Sequence, residues 1–184
     1  MSTKLKIAAA VAAAVLLSAC SSPKHEPMPL VKFTPSMEVT EVWSKGLSSA
    51  EGFLVPAVYD DMVFAAGGKT LTRLNARTGE TEWSVSFNSP ITGGVGSDGY
   101  VTAVGLWDGN LEVVDAEGKV SWEKKLTTEL ASPPVVSHGL VIARTMDTRV
   151  SAFEASSGEL QWTYQRSQPA LTVRLPTRML AHDN

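Results

Sequence analysis

Beyond residue 50 the apolar positions fall into short β-rich runs separated by Gly, Asp and Asn, and no window sustains a helical period. Three sets of runs recur in the same order. LVPAV, ITGGV and SPPVV open the sets. MVFAA, YVTAV and LVIAR follow, each introduced by a turn pair: Asp60-Asp61, Asp98-Gly99 or His138-Gly139. Next come TLTRLN, NLEVVD and RVSAFE, and after a further turn TEWSVSF, VSWEKKL and LQWTYQR. Several of these runs alternate in polarity, so each predicts a strand. Four short strands in a unit of about 40 residues predict one blade of a β-propeller.

The period is carried most clearly by tryptophan. Trp43, Trp83, Trp122 and Trp162 are spaced 40, 39 and 40 residues apart, and only Trp107 falls outside the series. Gly79, Gly118 and Gly158 each stand four residues before a tryptophan, in NARTGETEW, DAEGKVSW and EASSGELQW; the middle link is one residue shorter. A glycine in a tight turn takes a positive φ without steric cost. The Asn, Asp or Glu before it can bond nearby backbone donors, with Glu154 the weakest substitute. A tryptophan offers a broad apolar face to a neighbouring blade and an N–H to its backbone. One blade cannot bury both of its faces, so stacked neighbours make the core. These seven residues are therefore expected to be structural. The expected fold class is all-β: about three full four-stranded blades, plus part of another around Trp43.

Composition narrows the function. The chain has 184 residues, 43% apolar and 19% charged, which suits a folded protein. Its formal charge of −3 supplies no basic footprint for nucleic acid. Its one cysteine excludes an internal disulfide framework and a Cys-rich zinc or iron–sulfur site. Asp108, Asp115 and Asp147 are expected in turns or at strand ends without clustering. His138 and His182 form no ligand spacing, and there is no Gly-rich phosphate loop or nucleophile elbow. The sequence thus predicts no catalytic residue, no metal site and no cofactor.

The N-terminus reads as an address. Lys4 and Lys6 precede an apolar run from Ile7 to Leu17, too short for a spanning helix, which needs about 20 residues. Leu17-Ser18-Ala19-Cys20 follows and resembles the bacterial lipoprotein lipobox. That resemblance implies cleavage before Cys20 and acylation of its thiol and new amine. Ser21 stands where inner-membrane lipoproteins typically carry Asp, which favours the outer membrane. The expected organisation is a signal peptide at 1–19, a lipidated Cys20 and Pro-rich tether at 20–38, a partial propeller at 39–174 and a non-repeat tail at 175–184.

The A-x-x-G-x-x-x-W turn resembles the tryptophan-docking repeat of propellers related to the pyrroloquinoline quinone (PQQ) enzymes. One branch holds periplasmic dehydrogenases with PQQ and Ca²⁺. The other is the BamB family, lipoproteins of the outer-membrane β-barrel assembly (Bam) machinery, with the propeller but no cofactor. The lipobox, the tether and EVWS at the first tryptophan suit BamB. Against the enzymes, Cys20 lacks the neighbouring cysteine they use near the quinone. The BamB resemblance implies an eight-bladed pattern of about twice this length, a non-catalytic scaffold role, and binding to the POTRA region of BamA and the rest of the Bam complex. It also implies a lipid anchor on the periplasmic face of the outer membrane, with nascent outer-membrane proteins as clients. A dehydrogenase fragment and a propeller binding another envelope protein are the alternatives.

In the BamB family a Leu-x-Leu-Arg stretch after the third full repeat touches BamA. Leu171-Thr172-Val173-Arg174 corresponds to it here, with Val173 in place of the second Leu. The resemblance assigns Leu171, Val173 and Arg174 to partner binding; the residues alone suit equally a strand turned into its blade. LPTRMLAHDN keeps no repeat register and reads as a foreign ending. A partial ring is expected to leave one blade face open to association.

Overall fold

The computed structural model describes residues 28–31, 36–48, 54–167 and 178–182. The chain divides into two units, Met1–Val39 and Thr40–Asn184. In the first, the described residues form no strand or helix, and Met28, Leu30, Val31, Met37 and Val39 are exposed.

The second unit holds three four-stranded antiparallel sheets, each a simple meander. Blade 1 comprises β1 (Ala57–Tyr59), β2 (Met62–Gly67), β3 (Thr70–Asn75) and β4 (Thr81–Ser86). Blade 2 comprises β5 (Ile91–Ser97), β6 (Thr102–Leu106), β7 (Asn110–Val114) and β8 (Val120–Lys125). Blade 3 comprises β9 (Val135–Ser137), β10 (Leu140–Arg144), β11 (Arg149–Glu154) and β12 (Leu160–Gln165). The repeated runs of the sequence are these strands, and the PQQ-like propeller architecture is observed. Among the described residues no helix is long and apolar enough to cross a membrane.

Three of the runs enter their strands later than the sequence suggests. LVPAV and SPPVV enter the ladder only after Pro56 and Pro134, because proline has no N–H to donate. YVTAV begins at Thr102. The Asp98 carboxylate accepts the amides of Tyr100 and Val101 and keeps both in the turn.

Alternation along the inner strands builds two cores. Phe64, Leu71, Val104, Leu106 and Val114 bury between blades 1 and 2. Ala103, Leu111, Val113, Val141 and Phe153 bury between blades 2 and 3. Adjacent residues of blade 2 (Ala103 and Val104, Val113 and Val114) thus serve opposite interfaces, as a strand period of two requires.

Candidate functional site

Three tryptophans fasten each blade to the segment before it. The indole N–H of Trp43 donates to the Ala76 carbonyl at 2.8 Å, that of Trp83 to Ala116 at 2.9 Å, and that of Trp122 to Ala155 at 2.8 Å. Each acceptor lies 33 residues beyond its donor. The acceptors sit in the turns before β4, β8 and β12, and the ring faces rest on Gly79, Gly118 and Gly158. Those glycines have φ between 70° and 81°. A Cβ at any of them would stand 2.6–2.7 Å from an indole carbon. Glycine is needed twice over, for the left-handed backbone and for the ring's approach.

Most of the turn Asn and Asp side chains accept backbone amides. Asn75 Oδ1 accepts the amides of Arg77 and Thr78, and Asp115 Oδ1 those of Glu117 and Lys119. Asp108 accepts the Asn110 amide. Burial opposes ionisation of Asp147, but hydrogen bonds from Thr145, Thr127 and the Arg149 amide, with the Arg149 charge, hold its carboxyl below the usual range. Glu154 departs from the pattern: its carboxylate accepts from Ser156 Oγ instead of a turn amide.

Every residue of β12 is exposed, with Leu160 at 54%, Trp162 at 42% and Tyr164 at 60%. The three docking turns of the described residues are taken by Trp43, Trp83 and Trp122. Trp107 is also exposed, in the turn between β6 and β7. Cys20, Leu171, Val173 and Arg174 lie outside the described residues. The structure therefore brings together Trp43, Trp83 and Trp122 with their glycines, and leaves Trp162 on a bare strand.

The first strands of the blades line a cleft of about 390 Å³, through Val58, Val95, Ser97 and Val136, with Pro134 and Met179 at its wall. Of its lining residues Arg178 alone is charged. Glu112 and Glu123, not singled out from the sequence, lie directly opposite each other on β7 and β8. The available signal is that NLEVVD carries a carboxylate where TLTRLN and RVSAFE carry hydroxyls.

A family model described as "Outer membrane protein assembly factor BamB" matches residues 39–91 and 67–184. The outer membrane protein assembly factor BamB of Burkholderia pseudomallei is 37% identical over 176 residues, covering 93% of this chain and 46% of that protein. The crystal structure of BamB from Moraxella catarrhalis superposes with a TM-score of 0.59 at 27% identity, covering 66% of this chain and 37% of that one. A quinohemoprotein alcohol dehydrogenase from Pseudomonas putida HK5 shares the fold alone, with a TM-score of 0.51 at 20% identity, over 64% of this chain and 21% of its own. The chain spans a little under half the length of the first curated relatives it matches.

Proposed function

The chain belongs to the BamB family of outer membrane protein assembly factors, and on that premise we propose that it is part of a non-catalytic scaffold lipoprotein of the β-barrel assembly machinery. In this reading residues 1–19 are a signal peptide, and acyl chains on Cys20 hold the protein to the periplasmic face of the outer membrane. Several chains on one residue anchor far more firmly than the marginal single chain. Residues 20–38 form the tether, 39–174 the propeller portion and 175–184 a non-repeat tail. The propeller portion binds the POTRA region of BamA, joins the rest of the Bam complex, and supports folding and insertion of outer-membrane proteins.

The observation that carries the scaffold reading is the use of the conspicuous side chains. Three tryptophans donate to backbone carbonyls and Asn75, Asp108 and Asp115 accept backbone amides, while apolar side chains stand exposed on β12. Leu171, Val173 and Arg174 follow that strand within nine residues. Two apolar anchors beside an arginine suit a small binding hot spot. Such a contact would orient the POTRA arm. The unpaired outer edges of the meanders also suit β-augmentation of nascent strands.

The test is recovery of BamA from detergent-solubilised envelopes by the wild-type chain, by Arg174→Glu and by Cys20→Ala. BamA is expected with the wild type and at least about tenfold less with Arg174→Glu, while near-UV circular dichroism stays the same. Cys20→Ala should leave the membrane fraction. Equal recovery by the Arg174 variant overturns that contact. No BamA on a well-folded wild-type chain overturns the scaffold reading.

A further inference from the structure

At one place the middle blade departs from the chemistry of its neighbours. In blade 1 Thr72 lies opposite Ser84, and their hydroxyls are 3.1 Å apart. In blade 3 Ser151 lies opposite Thr163, with the same separation. The equivalent pair of blade 2 is Glu112 and Glu123. Glu112 is only 7% exposed, whereas Glu123 is exposed on β8.

Register fixes the direction in which these carboxyls point. Directly opposed residues of an antiparallel pair share a face. Glu112 is opposite Glu123 on one side and Val104 on the other. Val104 and Val114 belong to the core shared with blade 1, whereas Leu111 and Val113 belong to the core shared with blade 3. The two glutamates therefore stand on the face that packs against blade 1, the interface crossed by the Trp83 dock.

Three cations near that interface are engaged elsewhere. From blade 1, Arg73 donates to the Ala116 carbonyl at 2.9 Å and ion-pairs with Glu82 at 2.6 Å. Lys69, in the turn just before β3, donates to the Asn88 carbonyl at 2.8 Å. On β8, Lys125 donates to the Asp108 carbonyl. The β6 residues packed on this face, Val104 and Leu106, are uncharged, and Asp108 in the following turn adds negative charge. Burial first, then the charge and hydrogen bonding of Glu123, then the charge of Asp108, push the Glu112 carboxyl up to about 7. A buried carboxyl that faces a second carboxylate relieves the repulsion by keeping its own proton.

We propose that Glu112, opposed by Glu123 across the strand pair, forms a protonation-dependent latch between blades 1 and 2, closed while Glu112 holds its proton and loosened once it ionises. The sign follows from linkage. A carboxyl whose folded pKa is raised from 4.5 to about 7 binds more protons folded than unfolded across that interval. Its contribution is complete below the unfolded value and is lost as pH rises through about 7. In blades 1 and 3 the neutral hydroxyl pairs have no such dependence.

The test combines NMR with urea denaturation of the full chain, for wild type, Glu112→Gln and the double variant Glu112→Thr/Glu123→Ser. For the wild type the folding constant is expected to fall by about one to two orders of magnitude between about pH 5 and about pH 8. Both variants should flatten that fall. The indole N–H resonance of Trp83 should follow the transition, and that of Trp122, bonded across the other interface, should not. An equal fall in the variants overturns the proposal. So does a Glu112 carboxyl that titrates in the ordinary carboxylate range, which can be read on the wild type even if a variant fails to fold. A Trp83 resonance that ignores the transition leaves a titrating Glu112 carboxyl and overturns the latch.

Discussion

Trp122 and Trp162 occupy the same place in successive blades and meet different fates. Each stands near the start of its blade's last strand, beside a register shift against the preceding strand. Trp122 has its N–H on the Ala155 carbonyl, its face on Gly158 and its ring 6.1 Å from Phe153. Trp162 lies on a strand exposed along its whole length. The difference teaches that a docking tryptophan acquires its burial from the next blade's turn, not from its own sheet. The repeat is cooperative between units, and a residue's energetic worth depends on whether the neighbour is present.

The comparison can be broken most forcefully at the two indoles. Trp122→Ala is expected to cost about 3 kcal/mol or more, from lost burial and an emptied dock. Trp162→Ala should stay within about 0.5 kcal/mol of wild type. Urea denaturation of the two variants checks this, and comparable losses would refute the account of docking. At the turn itself, Gly118→Ala should cost about 2 to 3 kcal/mol. It forces a side chain onto φ 81° and puts its Cβ 2.6 Å from the Trp83 ring. Gly139→Ala is the control. Its φ is 71°, but nothing lies within 4 Å of the added carbon, so about 1 kcal/mol of backbone strain is expected. Equal losses at the two glycines would leave the ring contact without energetic weight.

Much of this architecture is written in the sequence. The tryptophan period, the glycine four residues before it and the recurrent β-rich runs are local signals, and blades made of consecutive hairpins need little else. The PQQ-like propeller, with its three four-stranded meanders, follows from them. Less legible are features that depend on which face a residue joins. Glu112 looks like an ordinary polar position in NLEVVD. Only its register with Val104 and Glu123 turns it toward blade 1. Trp162 likewise reads as an equal member of its series, because sequence period does not report which neighbour is there to receive the ring. Pro56 and Pro134 trim their strands through absent donors, a cost visible only when the ladder is drawn.

The smallest effect expected concerns the residue that opens each docking turn. Asp115 satisfies two amides, Glu117 at 3.1 Å and Lys119 at 2.8 Å, and so braces the turn whose Ala116 carbonyl receives Trp83. Glu154 stands at the same place before Ala155, but its carboxylate takes a serine hydroxyl at 3.2 Å. That turn is braced instead by backbone bonds, Gly158 N–H to the Glu154 carbonyl and Glu154 N–H to the Glu159 carbonyl, both at 2.8 Å, and by Ser157 Oγ accepting the Glu159 amide at 3.2 Å. Backbone bonds survive side-chain truncation. Asp115→Ala is therefore expected to cost about 1 kcal/mol, and Glu154→Ala less than about 0.5 kcal/mol. Hydrogen exchange at the amides of Glu117 and Lys119 should speed up in the first variant, with no matching change in the third blade's turn in the second. Matching losses would mean that the turn is held by its glycine and tryptophan alone, and that the acid in front of it is ornamental.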